Sequence, residues 1–307
     1  MTLERSLQQL GEEATALSYS VLARLSDLTP EEVQQFVAVW KGVGPARRHN
    51  VVSRLVELAE DNAELDYTSV FKTCLEDDHD AVRESAVNGL WEFEDRSMIT
   101  CFSKLIINDK SPGVRTAAAV GLGKFARLFQ DGKLLSRDGD RIRDVLEKVL
   151  QNTSETWDVR RRALEAVAVF NSPRIKEFIT WAYASNELKL KCSAIYAMGR
   201  TGEASWLPTV VKELESASPA LRFEAANALG EMAEEESAPH LLPLLQDDDQ
   251  QVVLATVRAL GEVGGPIARR ALRRLLTSGD EALQEAAQEA LDNIETADDP
   301  LSFRYGM

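Results

Sequence analysis

Apolar and polar positions alternate along this chain with a helical period, and the pattern returns. The stretch Ser218–Gly230, "SPALRFEAANALG", echoes Ser111–Gly123, "SPGVRTAAAVGLG". With Arg222 as reference, the same register falls on Arg83, Arg115, Arg160, Lys191, Val253 and Gln284. The spacings along that series are 32, 45, 31, 31, 31 and 31 residues. One residue before the register stands Val or Leu every time, from Val82 to Leu283. Three after it stands Ala, with Thr256 the exception, and six after it stands Gly or Ala. Seven after it stands Leu, Val or Met. Offsets −1, +3, +6 and +7 share one face of an α-helix. The small residues at +3 and +6 predict helices that approach one another closely. At +8, Gly123, Gly199, Gly230 and Gly261 predict left-handed helix caps, where a residue without Cβ is favoured.

A second apolar stripe lies upstream, at offsets −12, −9 and −8. It reads Phe71, Cys74, Leu75 before Arg83, and Leu241, Leu244, Leu245 before Val253. Each unit therefore reads as two antiparallel helices joined by a polar turn such as "DDDQQ" or "TSGDE". A helix pair of this size cannot bury its apolar face alone, so the units must stack and share a core. A degenerate unit over Pro45–Glu60 keeps the +3 and +7 steps with Arg48, Val51 and Leu55. The expected division is an N-terminal helical cap over 1–44, a repeat array over 45–294 and a flexible tail over 295–307. The 45-residue spacing implies an insert at about 127–141, whose Gly, Asp and Ser content suits a loop or an extended helix end.

The motifs "VRESAVNGL", "VRTAAAVGLG" and "LRFEAANALG" are similar to HEAT repeats. The short period most resembles the subgroup called PBS-lyase HEAT-like. Over roughly residues 45–294 the resemblance implies an all-α fold. That fold is a right-handed α-solenoid, an α-α superhelix, of about seven to eight helical hairpins behind an N-terminal helical cap. It implies no single function, because the armadillo-like architecture serves many tasks.

Composition narrows the function classes. The 307 residues are 44% hydrophobic, enough for a large core, and the formal net charge is −15. Such a field repels phosphate backbones and anionic lipid, so nucleic acid is not expected as a partner. Cys74, Cys101 and Cys192 are odd in number and far apart, which excludes a disulfide framework or a Cys-based zinc site and suits a reducing cytoplasm. No run is long and apolar enough for a membrane span, and the opening "MTLERSLQQLGEEATALSYS" lacks the apolar core of a secretory leader.

No catalytic constellation emerges from the sequence. The only histidines are His49, His79 and His240, in unrelated parts of the repeat. The resemblance to HEAT-like deoxyhypusine hydroxylases therefore stops at the fold, since a di-iron centre needs several converging His and Glu ligands. Gly123-Lys124 is followed by Phe125 and Gly132-Lys133 by Leu134, so neither is a phosphate loop. "DGKLLSRDGDRI" lacks the acidic twelfth position of a calcium loop. The expectation is a non-enzymatic chain without catalytic, metal or cofactor residues.

The basic register residues predict an internal ladder, each bonded to acidic or carbonyl groups of the adjacent repeat. Offsets +1 and +5 point away from the core stripe and should line the concave face. There Cys192, Tyr196, Phe223, Asn227, Leu254 and Arg258 form an apolar centre with a polar rim, the anatomy of a protein-binding patch. Arg161, in "WDVRRR", adds a basic spot. The leading expectation is a cytoplasmic, monomeric scaffold or adaptor for a protein or peptide. The resemblance also admits an accessory subunit like the phycobilin lyases, with Cys192, Tyr196 and Arg161 near a tetrapyrrole. A HEAT-like DNA glycosylase would need a basic aromatic groove, which the alternating Glu and Arg at these offsets oppose.

Overall fold

A computed structural model describes residues 2–12 and 15–298. Among them are eighteen α-helices, four short 3₁₀ segments and no strand. The fold is all-α, an array of helical hairpins. The chain divides between Ala166 and Val167 into two compact units, a boundary that falls inside the expected 45–294 array.

In the first unit, the helices Pro45–Asp61, Asp80–Gly89 and Pro112–Gln130 pack side by side in chain order. Thr68–Cys74 forms a hairpin with Asp80–Gly89, and Ser97–Asn108 with Pro112–Gln130. Helix Pro30–Trp40 packs against Thr68–Cys74, while Pro45–Asp61 packs against Asp80–Gly89. Each of these two helices thus precedes its counterpart in the next hairpin, and the expected boundary at 44 falls between them. In the second unit, Leu188–Thr201, Pro219–Met232, Gln250–Val263 and Glu281–Asp298 pack in succession, and each is paired with the helix before it. The last of these helices includes residues 295–298, which the sequence assigns to the tail. Residues 299–307 lie outside the described residues.

The predicted core stripe is the core. Val82, Val114, Val159, Leu190 and Val252 at −1 are buried, as are the alanines from Ala86 to Ala287 at +3. Thr256 replaces one of those alanines and is also buried, its hydroxyl donating to the Val252 carbonyl at 2.8 Å. Leu283 at the last −1 position is only half-buried, as suits the final hairpin.

The +8 glycines do not cap. Gly199, Gly230 and Gly261 lie inside their helices, and the left-handed residues fall three positions later, at Gly202, Ala233 and Gly264. What +8 requires is room. A Cβ on Gly199 would lie 2.7 Å from the Cα of Ala228, and one on Gly261 would lie 3.0 Å from the Cα of Ala290. The +8 residue of each of these helices thus rests on the +6 alanine of the next, backbone against backbone. Gly89 and Gly121, at +6 in the first unit, instead accept the rings of Phe71 and Phe102 from the first helix of their own hairpins.

The extra length between Arg115 and Arg160 is spent on helix. Thr201, Met232 and Val263 end their helices ten residues past the register, whereas Pro112–Gln130 runs fifteen past it. After a short turn the chain enters Ser136–Gln151, and Gly139 lies against the Phe129 ring, 2.6 Å from where its Cβ would stand. The span 127–141 is two packed helix ends around a turn rather than a loop.

Three of the register arginines, Arg83, Arg115 and Arg222, form the expected ladder, while Arg160 donates to the Leu150 carbonyl just upstream. Arg83 grips Asp109 with Nε and Nη2, both at 2.7 Å, and its Nη1 donates to the Asp77 carbonyl. Arg115 holds Glu155 through two 2.8 Å bonds, and Arg222 holds Asp247 at 2.6 and 2.7 Å. Each guanidinium thus ties the turn of its own hairpin to the turn of the next. The acids have a second duty. Asp109 and Asp247 accept the backbone N–H two residues on, from Ser111 and Asp249, shaping the turn before the helix begins. Burial opposes ionisation of Asp109 and Glu155, but the bonds from Arg83 and Arg115 outweigh it and hold both carboxyls below the usual carboxylate range. At Asp247 the Arg222 bond dominates, with the same direction.

Because these carboxyls are more acidic folded than unfolded, their stabilisation is complete above about pH 4 and fades as pH falls through the depressed values. Asp247→Asn should cost about 1–3 kcal/mol at pH 7, and urea titrations should show the gap to the unaltered chain closing near pH 3. An equal gap at both values would remove the ionic account. Gly199→Ala should destabilise by about 1–3 kcal/mol through overpacking. Ala233→Gly should stabilise by about 1 kcal/mol, because Ala233 holds φ 52°. Denaturant midpoints measure both, and reversed signs would contradict the packing described.

Candidate partner-binding surface

Within the second unit, three neighbouring second helices carry six of the seven candidate residues. Cys192 and Tyr196 lie on Leu188–Thr201, Phe223 and Asn227 on Pro219–Met232, and Leu254 and Arg258 on Gln250–Val263. The contacts of Gly199 with Ala228 and of Gly230 with Ala259 set these helices at constant phase. Equal offsets therefore stack. Cys192, Phe223 and Leu254 form one row, and Tyr196, Asn227 and Arg258 form a second beside it. Five of the six are half-buried and Arg258 is exposed. The rows are a partly covered face, neither fully open nor sealed into the core.

Arg161 stands apart, in the first unit. Its Nε donates to Asp158 at 2.8 Å, and Glu165 lies one turn further along the same helix, 3.8 Å from Nη1. Those two carboxylates neutralise its charge locally.

Beside the rows the ladder changes chemistry. Lys191 takes the register position, and the turn that follows offers Ser216 instead of an acid. Glu213 substitutes from the preceding helix. It accepts from the Tyr183 hydroxyl at 2.5 Å and the Lys191 ammonium at 2.9 Å, while Lys191 lies 4.8 Å from the Tyr183 ring centre. Burial and the bond to Glu213 push the Tyr183 hydroxyl up to about 12, so it stays protonated and is no base at neutral pH. Glu213 stays below the usual range, since Tyr183 and Lys191 outweigh the opposing effect of burial. The cluster is a structural joint.

Other reactive groups are similarly occupied. Burial pushes the Cys74 thiol well up, which removes it as a nucleophile. His79 and Asp80 stand 3.9 Å apart at the start of their helix. Among the described residues, no group of three or more His, Cys, Asp and Glu side chains is placed to hold a metal ion, and no helix is long and apolar enough to cross a membrane.

A family profile for HEAT repeats matches residues 68–135, 177–257 and 207–292, more than half of the chain. The chain belongs to the HEAT-repeat family. Among curated relatives, phycocyanin operon protein Z of Pseudanabaena tenuis is 31% identical over 107 residues, 32% of this chain and 53% of its own length. A HEAT repeat-containing taxis protein of Halobacterium salinarum is 29% identical over 153 residues, 43% of this chain and 37% of its own length. This HEAT-repeat protein thus spans about half or less of either relative. Among solved structures, the CpcE–CpcF complex of phycocyanin lyase from Nostoc superposes with a TM-score of 0.51 at 15% identity. That match covers 92% of this chain and 98% of the matched one, and bears out the all-α HEAT-like fold. Importin beta gives 0.50 at 12% identity, covering 94% of this chain and 44% of the importin chain.

Two features escaped the sequence reading. One is the acid six residues before the register, Asp77, Asp109 and Asp247, visible once the turns are aligned. The other is an arginine-lined cavity near the end of the array, at Arg269, Arg270, Arg273 and Arg274.

Thiol labelling tests the surface directly. Cys192 and Cys101, both half-buried, should alkylate in the folded protein, whereas fully buried Cys74 should react only after denaturation. Mass spectrometry of iodoacetamide-treated peptides reads this out, and protection of Cys192 equal to that of Cys74 would seal the proposed face.

Proposed function

We propose that this HEAT-repeat protein is a non-enzymatic scaffold that binds a protein or peptide partner along the rows of Cys192, Tyr196, Phe223, Asn227, Leu254 and Arg258. The observation that carries the reading is the constant phase of three stacked helices, which aligns half-buried apolar side chains beside polar ones. Such a face offers an extended chain several apolar anchors with polar groups at their edge, the arrangement that interfaces favour. Arg161 belongs to the first unit and is not part of this face on this reading. The protein acts as a monomer in the cytoplasm, without a cofactor, and its acidity disfavours nucleic acid. Tyr196→Ser together with Phe223→Ser should abolish partner capture from the native host while leaving the circular dichroism of the helices intact. Capture that survives the double change would remove these rows as the site.

A second reading has a specific observation behind it. The likeness to phycocyanin lyase and to a phycocyanin operon protein supports an accessory, chaperone-like or lyase subunit that handles a tetrapyrrole. Cys192 and Tyr196 would then face the pigment. Protein purified from its native host should carry a visible absorbance band, reduced by Tyr196→Phe. A colourless protein that gains no band on incubation with bilin would exclude this reading and leave the scaffold standing.

A further inference from the structure

The helix Gly265–Leu275 carries Arg269, Arg270, Arg273 and Arg274 within two turns. The pairs 269/273 and 270/274 are four apart and 270/273 three apart, so like charges face one another at about 5–6 Å between Cβ atoms. Elsewhere arginines of this protein are paired with carboxylates, as at Arg83, Arg115, Arg200 and Arg222, or with backbone carbonyls, as at Arg47 and Arg54. Arg270, Arg273 and Arg274 are exposed and have no ion pair among the described residues. Three adjacent cations, Arg270, Arg273 and Arg274, thus stand together on a chain whose net charge is −15.

These arginines line a cavity of about 1030 Å³ in the second unit. Its other walls include the glycine pair Gly264 and Gly265, which enter the helix with positive φ, the Glu235 side chain lying against Gly265, and the carboxylate of Glu262. Four guanidiniums against two carboxylates leave the lining positive while the surface at large is negative. A local field of opposite sign concentrates anions there. Guanidinium forks match carboxylates two bonds at a time.

We propose that this cavity is a second binding site, separate from the rows at Cys192 to Arg258, and that it takes a short acidic peptide segment of a partner protein. Carboxylates on such a segment insert between the arginine pairs and relieve their mutual repulsion. A polynucleotide is disfavoured, because its backbone must continue past the cavity into the field of 50 acidic against 35 basic residues. A short peptide presents its charge inside the cavity and ends there.

The test uses the full chain and three fluorescein-labelled probes of equal length. They are an octapeptide of alternating Glu and Asp, its Gln and Asn analogue, and a single-stranded DNA octamer. Anisotropy at low salt should show binding of the acidic peptide alone, weakening as salt rises. Arg273→Glu with Arg274→Glu should reduce the affinity at least about tenfold, while Lys110→Glu, a charge reversal in the other unit, should leave it unchanged. Should the double variant fail to fold, Arg273→Gln keeps the stem without the charge and should still lose several-fold. The proposal is overturned if the acidic peptide does not bind, if the DNA binds as tightly, or if Lys110→Glu weakens binding as much as the arginine changes. Tyr196→Ser with Phe223→Ser leaves this binding intact, which separates its fate from that of the scaffold reading.

Discussion

In the second unit each second helix rests on the next at the distance of bare backbone. Gly199 on Ala228, Gly230 on Ala259 and Gly261 on Ala290 leave no space for a side chain between them. That closeness fixes the phase of one helix against its neighbour. With phase fixed, a position that is buried in one hairpin is buried in the next, and a position that faces outward does so in every hairpin of the stack. The large apolar residues at −1 and +7 then fill the space between the paired helices.

Packing alone would permit sliding along the helix axis by a turn. The charged ladder opposes it. The bidentate grip of Arg83 on Asp109 or of Arg222 on Asp247 has one geometry, and a shift of a single turn would break both bonds and strand the carboxylate. The same carboxylates order their own turns, so turn shape and hairpin spacing are secured by one side chain. Lys191 with Glu213 and Tyr183 reaches the same end with other groups, which shows that the spacing, rather than any residue pair, is what must be kept.

The repeat was legible because its signal is periodic and local: apolar residues at −1, +3 and +7 with small ones at +6 leave little alternative to stacked hairpins. The ladder was legible in outline, since a cation at constant register needs a constant partner. The register of residues 30–61 was readable too, for Phe36, Val39 and Trp40 stand at −12, −9 and −8 from Arg48. The boundary at 44 falls inside it because the upstream stripe was followed only as far back as Arg83. The role of the +8 glycines could not be read, because a glycine is equally suited to a left-handed cap and to a close crossing, and only the neighbour decides. For the same reason the rows of Cys192 to Arg258 could be placed on a face while their exposure could not. The arginine cavity depends on the distance from each guanidinium to a carboxylate far away in sequence, which no helical wheel contains.

The bonding between successive turns also makes the hairpins non-interchangeable cassettes. The units that begin at Lys191 and Arg222 have equal length, yet their outgoing contacts differ: one calls for Glu213 braced by Tyr183, the other for an aspartate in the turn itself. Transplanting residues 244–249 in place of 213–218 would put Leu244 where Glu213 stands, leave Tyr183 without its acceptor and offer an ammonium where a planar fork is required. Recombination or duplication within this array can therefore succeed only in blocks that carry both halves of a joint, and chain order is written into the joints as well as into the peptide backbone.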